Sequence, residues 1–193
     1  MQWKAARWTI AATLLLGAAI AGATASYNFT IDSGASSVDA KVAFMGIGNR
    51  KALFPAVRGT VALTPDAMDR INLDVMIDAT QLRADDSLTT NRLKGDAFFD
   101  VAKYPTVRFQ GTDLSMATQT SGIVRGNLTA RGVTRPVTLN VSFSAPPSTT
   151  SLKEPIRLTG VTTINRKDFG MTAYSLIVGK KVTISIRTKL VPA

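Results

Sequence analysis

"VTISIRTKL", residues Val182 to Leu190, alternates without a break: Val182, Ile184, Ile186, Thr188 and Leu190 take one side, Thr183, Ser185, Arg187 and Lys189 the other. Successive side chains of an extended chain leave on opposite faces, so the run reads as a β-strand with one apolar and one wet face. One-sided strands are the mark of antiparallel sheet.

Working outward, the same period recurs along most of the chain. Val38, Ala40, Val42 and Phe44 share a face, as do Val57, Val61 and Leu63 around Gly59, and Ile71, Leu73, Val75 and Ile77. Further on come Val107 and Phe109; Val124, Gly126 and Leu128; Val137, Leu139, Val141 and Phe143; and Leu158, Gly160, Thr162 and Ile164. With Tyr27 to Ile31 these make about nine strands. Glu occurs once, at Glu154, while Thr is abundant, a composition suited to pleated surfaces and poor for helices. One short helix is predicted over Asp86 to Leu93, with Asp85, Asp86 and Ser87 offering N-cap oxygens and Gly95 ending it. Arg166 to Gly179 lacks the alternation and reads as a short helix or covering loop, and Ala145 to Pro155 as a surface connection.

So many one-sided strands with short turns predict an all-β barrel or sandwich. A sandwich fills its own core, whereas a barrel of about eight strands has room for one small ligand. Ala40, Gly59, Gly126, Ala130 and Gly160 fall on apolar faces, and either leave lumen volume or mark bends that let the sheet close.

The first 25 residues stand apart. Lys4 and Arg7 precede an uncharged stretch, Thr9 to Gly22, and Ala23-Thr24-Ala25 is a small-x-small site, so residues 1–25 are expected to be a secretory signal peptide. The stretch is shorter than the roughly 20 residues of a membrane anchor. Residues 26–193 then form one exported domain. The formal charge falls from +10 to +8 when Lys4 and Arg7 leave. For an exported basic protein, anionic lipid head groups are the expected partner and nucleic acid is not, although scattered cations also simply solvate outward faces.

The chain has no Cys and no His. Disulfides, the commonest zinc ligands and every Cys/His or Ser/His nucleophile arrangement are therefore excluded, and no metal or cofactor is expected. Asp85 with Asp86 and Asp96 with Asp100 lack the spacing of a calcium loop, and helix capping accounts for the first pair.

Three ordered stretches carry a resemblance: "RLKGDAFFDVAKYPTVRF" (Arg92 to Phe109), "GNLTARGVTRPVTL" (Gly126 to Leu139) and "INRKDFGM" (Ile164 to Met171). With the opening "YNFTIDSGASSVDAKVAF", they resemble the YceI-like family of exported bacterial proteins that bind polyisoprenoids and other amphipathic lipids. The resemblance implies an extended, lipocalin-like antiparallel barrel with a long apolar channel for an isoprenoid tail, a periplasmic setting, no catalytic centre, and often a homodimer. Two positions that are commonly His in such proteins are Arg92 and Arg131 here, which favours a permanent charge contact over a pH-dependent one.

On this basis the channel is assigned to Val42, Phe44, Leu73, Val75, Phe109, Leu139, Val141, Ile164, Ile184 and Ile186, joined by Phe98, Phe99, Phe169 and Met171. Adjacent Phe98 and Phe99 cannot share one face of a strand, so they are expected in the bend after the helix, as an apolar lid. A phosphate or similar head group would meet Arg92, Lys94, Arg131 or Arg166, and Asp168 is expected to receive backbone amides in the turn before Gly170. The expected function is non-catalytic binding, transport or storage of an amphipathic lipid. Its alternatives are an envelope interaction protein with a closed barrel and basic surface, and an enzyme using carboxylates, for which no nucleophile, base and orienter are in evidence.

Overall fold

Alternation of this kind buries one face only if the sheet closes on itself or meets another. The computed structural model, which describes residues 26–64, 70–147 and 153–193, shows closure. The expected signal peptide lies outside the described residues. In chain order the strands are β1 (Tyr27–Ile31), β2 (Ser37–Phe44), β3 (Gly48–Phe54), β4 (Val57–Leu63), β5 (Arg70–Asp78) and β6 (Arg83–Ala84). Helix α1 (Ser87–Lys94) follows, then β7 (Thr106–Met116), β8 (Ser121–Ala130), β9 (Val133–Phe143), β10 (Ile156–Asn165) and β11 (Val178–Pro192). All pairings are antiparallel, and β1, β4, β5, β7, β8, β9, β10 and β11 form an eight-strand barrel closed by β1 against β11. Among the described residues no helix is long and apolar enough to cross a membrane.

The barrel is extended by a device in its longest strand. At 15 residues, β11 pairs through Leu190 to Pro192 with β1 and through Val178 to Arg187 with β2. Thus β1 and β2 lie in line along one edge, separated by a turn at Ser33–Ala35. The Asp32 carboxylate accepts from the Gly34 and Ala35 amides and takes the Lys189 ammonium at 2.9 Å, fixing the break. Similar breaks separate β3 from β4 at Pro55-Ala56, and β5 from β6 at a turn where Asp78 receives the Thr80 amide. On the side of these breaks nearer the termini the barrel is closed; on the other, β2, β3 and β6 continue as an arm whose last member is β6.

The sequence reading finds β1 and the eight long alternating runs, and misses β3 and β6. The reason is chemical: the first half of β3, Gly48 to Lys51, is polar and exposed, and β6 has only two residues. Helix α1 runs one residue from the expected bounds at each end, with Asp86 as its cap receiving the Thr89 amide at 2.7 Å. A helix rich in Thr and Asn depends on such capping.

The apolar-face glycines divide by place. A Cβ on Gly126 would lie 2.2 Å from the Gln110 carbonyl oxygen, and one on Gly59 2.3 Å from that of Asp74. Neither borders the lumen, whereas Ala40 and Ala130 do. These two glycines let neighbouring backbones approach closely, which a side chain at either place forbids.

Candidate functional site

Inward side chains on two stretches of the barrel behave differently. Toward the termini, Leu63, Ile71, Leu114 and Val124 are buried in the core and border the cavity only with what little surface they keep. Beyond them Val42, Leu73, Val75, Phe109, Ile164, Ile184 and Ile186 point inward yet are only partly buried, because they face an empty lumen. That lumen is a cavity of about 580 Å³, within the range of small-molecule sites. A space so lined is dry, and its stable occupant is apolar.

Every apolar residue assigned to the channel from sequence borders this cavity, including Leu139, Val141, Phe44, Phe169 and Met171. The period-2 pattern placed those on strands, since residues sharing a strand face share the lumen, whereas Phe169 and Met171 reach it from the segment after β10 that lacks the alternation. Phe98 and Phe99 border it from the turns that follow α1. The Phe99 amide donates to the Leu93 carbonyl and the Asp100 amide to that of Gly95, while Asp100 itself takes a positive φ of 48°. The bend frees both rings from strand geometry. Phe98 stacks on Tyr174, with centroids 5.9 Å apart, and Phe99 meets Phe54 edge-on at 5.5 Å.

The exposed residues among the lining, including Lys41, Arg50, Lys51, Asp86, Leu88, Arg92, Tyr174 and Ile177, lie at the end that carries α1, so the cavity opens there. Of the four cations assigned to a head group, Arg92 and Arg166 border the cavity and Lys94 and Arg131 do not. Arg131 reaches from the β8–β9 turn and donates to the Gly170 carbonyl at 2.7 Å. Arg166 is buried, with its guanidinium donating to the carbonyls of Met171 at 2.5 Å, Gly179 at 2.9 Å and Val178 at 3.1 Å. Burial pushes its pKa down, and these carbonyls receive the protons that water no longer solvates. It stands 5.9 Å from the Phe98 ring centre, and its three carbonyl bonds hold the loop before β11 beside that ring.

Asp168 differs from expectation. The Gly170 and Met171 amides donate to the carbonyls of Lys167 and Arg166, and the Lys167 amide to the Asn165 side chain. The Asp168 carboxylate instead accepts from Asn165 Nδ2 at 2.9 Å. A short tight turn satisfies its amides with its own carbonyls, leaving the acid to orient the capping Asn.

Arg50 is the cation the sequence reading missed. It precedes Ala52 and Phe54 on the inward side of β3, and its guanidinium lies 4.7 Å from the Phe44 ring centre. The alternation Arg50, Ala52, Phe54 was the available signal, obscured by the polar start of the strand. Across the mouth, the Asp86 carboxyl is held below its ordinary value, first by the Thr89 amide and hydroxyl and to a lesser degree by Arg50. The rim therefore offers permanent cations above an apolar well.

A closed antiparallel barrel with a one-ended apolar cavity belongs to the lipocalin-like class of binding barrels. The chain is a member of the YceI-like family, whose domain model matches residues 29–190. It is 26% identical over 164 residues to a UPF0312 protein of Pseudomonas savastanoi pv. phaseolicola, covering 83% of this chain and 85% of that one. Among solved structures, BcnA of Burkholderia cenocepacia shares the fold at a TM-score of 0.73 and 21% identity, covering 82% of this chain and 98% of that one. A Campylobacter jejuni YCEI protein matches at 0.65 and 24%, covering 76% and 86%. A polyisoprenoid binding domain from Saccharophagus degradans matches at 0.64 and 13%, covering 86% and 98%.

Proposed function

We propose that this protein is a non-catalytic carrier or store for a single-tailed amphipathic lipid of the polyisoprenoid or isoprenoid quinone type in the bacterial periplasm. The observation that carries the proposal is the apolar lumen, open at one end and lined by inward apolar side chains that the barrel leaves partly uncovered. A tail fits it by simple transfer: about ten buried carbons contribute roughly 8 kcal/mol at about 0.8 kcal/mol per methylene, which leaves micromolar or tighter binding after ordering costs. The Saccharophagus degradans domain, described as polyisoprenoid binding, supports the ligand class, and the leader-like residues 1–25 support export. A phosphate or quinone head group would sit at the rim against Arg50 and Arg92, where a charge-assisted contact needs no titrating group. The empty lumen argues against a self-filled barrel that acts through its surface alone.

The test is an organic extract of the purified protein, examined by mass spectrometry, with titration of an added prenyl ligand. A long-chain lipid in the extract or saturable uptake of the prenyl ligand is expected. Neither outcome appearing would end the carrier proposal.

A further inference from the structure

At the open end, the β2–β3 turn and the loop before β11 stand side by side, joined by the Met45 amide donating to the Ile177 carbonyl at 2.7 Å. Both present large apolar side chains to solvent. Ile47 is 92% exposed and Leu176 102%, with Met45, Tyr174 and Ile177 exposed beside them and Leu88 on α1 across the mouth. Elsewhere among the described residues the exposed large hydrophobics are Leu53 and Val161 alone, each on the outer side of its strand. Single exposed apolar residues are ordinary, but a group of them around one opening marks an interaction surface.

Charge decides the partner. Arg50 and Lys51 follow the β2–β3 turn, Lys180 and Lys181 follow the loop, and Arg92 stands on α1, all exposed. The ion pairs among the described residues engage Arg108, Arg125, Arg187 and Lys189, and none of these five. Asp86 is an exposed carboxylate of this rim against the cations Lys41, Arg50, Lys51 and Arg92, so a second copy docking tip to tip would oppose chiefly cations to cations. An anionic bilayer complements both parts of the surface, since apolar tips enter the boundary of head groups and acyl chains while cations meet the phosphates.

We propose that the open end docks on an anionic lipid bilayer, with Ile47 and Leu176 entering the interface and Arg50, Lys51, Lys180 and Lys181 on the head groups. The cavity then opens onto the membrane, and a tail passes between bilayer and barrel without crossing water. That purpose rests on the carrier function proposed above, whereas the docking is measured separately.

The experiment is flotation of the purified protein with vesicles of equal parts phosphatidylcholine and phosphatidylglycerol, or of phosphatidylcholine alone, at low and high salt. Partition is expected to be at least about tenfold stronger on the anionic vesicles and to weaken with salt. Ile47→Ser with Leu176→Ser, and separately Lys180→Gln with Lys181→Gln, should each lower it about tenfold or more. Both pairs lie on the surface and should leave uptake of a fluorescent farnesyl probe from solution unchanged. Equal partition of wild type and variants, or no partition of wild type, overturns the docking while the probe still reports on the cavity. A dimer that the serine pair disperses, without vesicle binding, assigns the surface to a second copy and also overturns it. Vesicle binding with no uptake of the probe leaves the docking standing and removes the carrier function.

Discussion

Phe98 lies flat on Tyr174, the two ring planes 6° apart, and so ties the turns after α1 to the loop before β11. The two segments are far apart in sequence, and Phe98 is buried where Tyr174 is half-exposed. Removing the outer ring should therefore open the lid more than it weakens the fold. Tyr174→Ala is expected to raise the release rate of a bound prenyl ligand several-fold with stability changed by less than about 1 kcal/mol. Phe98→Ala, which empties a buried site, should lose about 3–5 kcal/mol. Stopped-flow release and urea unfolding check the pair, and an unchanged release rate for Tyr174→Ala would show that the stack is no lid.

The rim cations predict selectivity between head groups. If Arg50 meets an anionic head, Arg50→Gln should weaken binding of a prenyl phosphate about tenfold, in keeping with the roughly 1.5–3 kcal/mol of a charge-assisted contact. Binding of the corresponding prenyl alcohol should hardly change. Calorimetric titration of both ligands supplies the comparison, and an equal loss for the two would assign Arg50 to packing over Phe44.

The close backbone approach at Gly126 is open to direct test. Gly126 faces Gly111 across β7 and β8, and an added Cβ would meet the Gln110 carbonyl at 2.2 Å and the Phe109 ring at 2.8 Å. Backbone cannot yield as a side chain does, so Gly126→Ala should cost at least about 1–3 kcal/mol. Gly48→Ala, where nothing lies within 4 Å, serves as the control and should be near neutral. Urea midpoints decide it; equal midpoints would mean that the sheet relaxes around the added carbon.

Which parts of this molecule were legible in its sequence follows from how local each signal is. Ile184 and Val141 could be placed in the lumen because strand alternation is a property of neighbours in the chain. The adjacency of Phe98 and Phe99 likewise announced a bend. Arg166 looked like any motif cation, since its three carbonyl partners come from Met171, Val178 and Gly179 and are set by tertiary packing. Arg50 escaped notice because its strand is half polar and gains its place by pairing with β2. Whether Gly59 made space or closed a sheet was also undecidable locally, as the atom that excludes a Cβ belongs to Asp74.

The dependence on pH follows from three carboxylates. Asp32 is held below its ordinary value chiefly by its hydrogen bond to Lys189, Asp74 by that to Arg108, and Asp86 by the Thr89 amide. In each case the folded carboxyl binds a proton less readily than the unfolded one. As pH falls, the unfolded chain therefore takes up more protons and stability declines. The contribution is present in full above the unfolded value of 3.8 and is lost as pH falls from there through each depressed folded value. With no His in the chain, nothing comparable titrates from about pH 5 to 8. Urea midpoints at pH 7 and pH 5 should thus agree, and the midpoint at pH 3 should be clearly lower. Asp74→Asn should reduce that acid-side drop, although only slightly, because Arg108 and Asp74 are partly exposed and water screens their pair. A loss of stability already complete between pH 7 and pH 5 would contradict this assignment, because these carboxylates remain charged throughout that range.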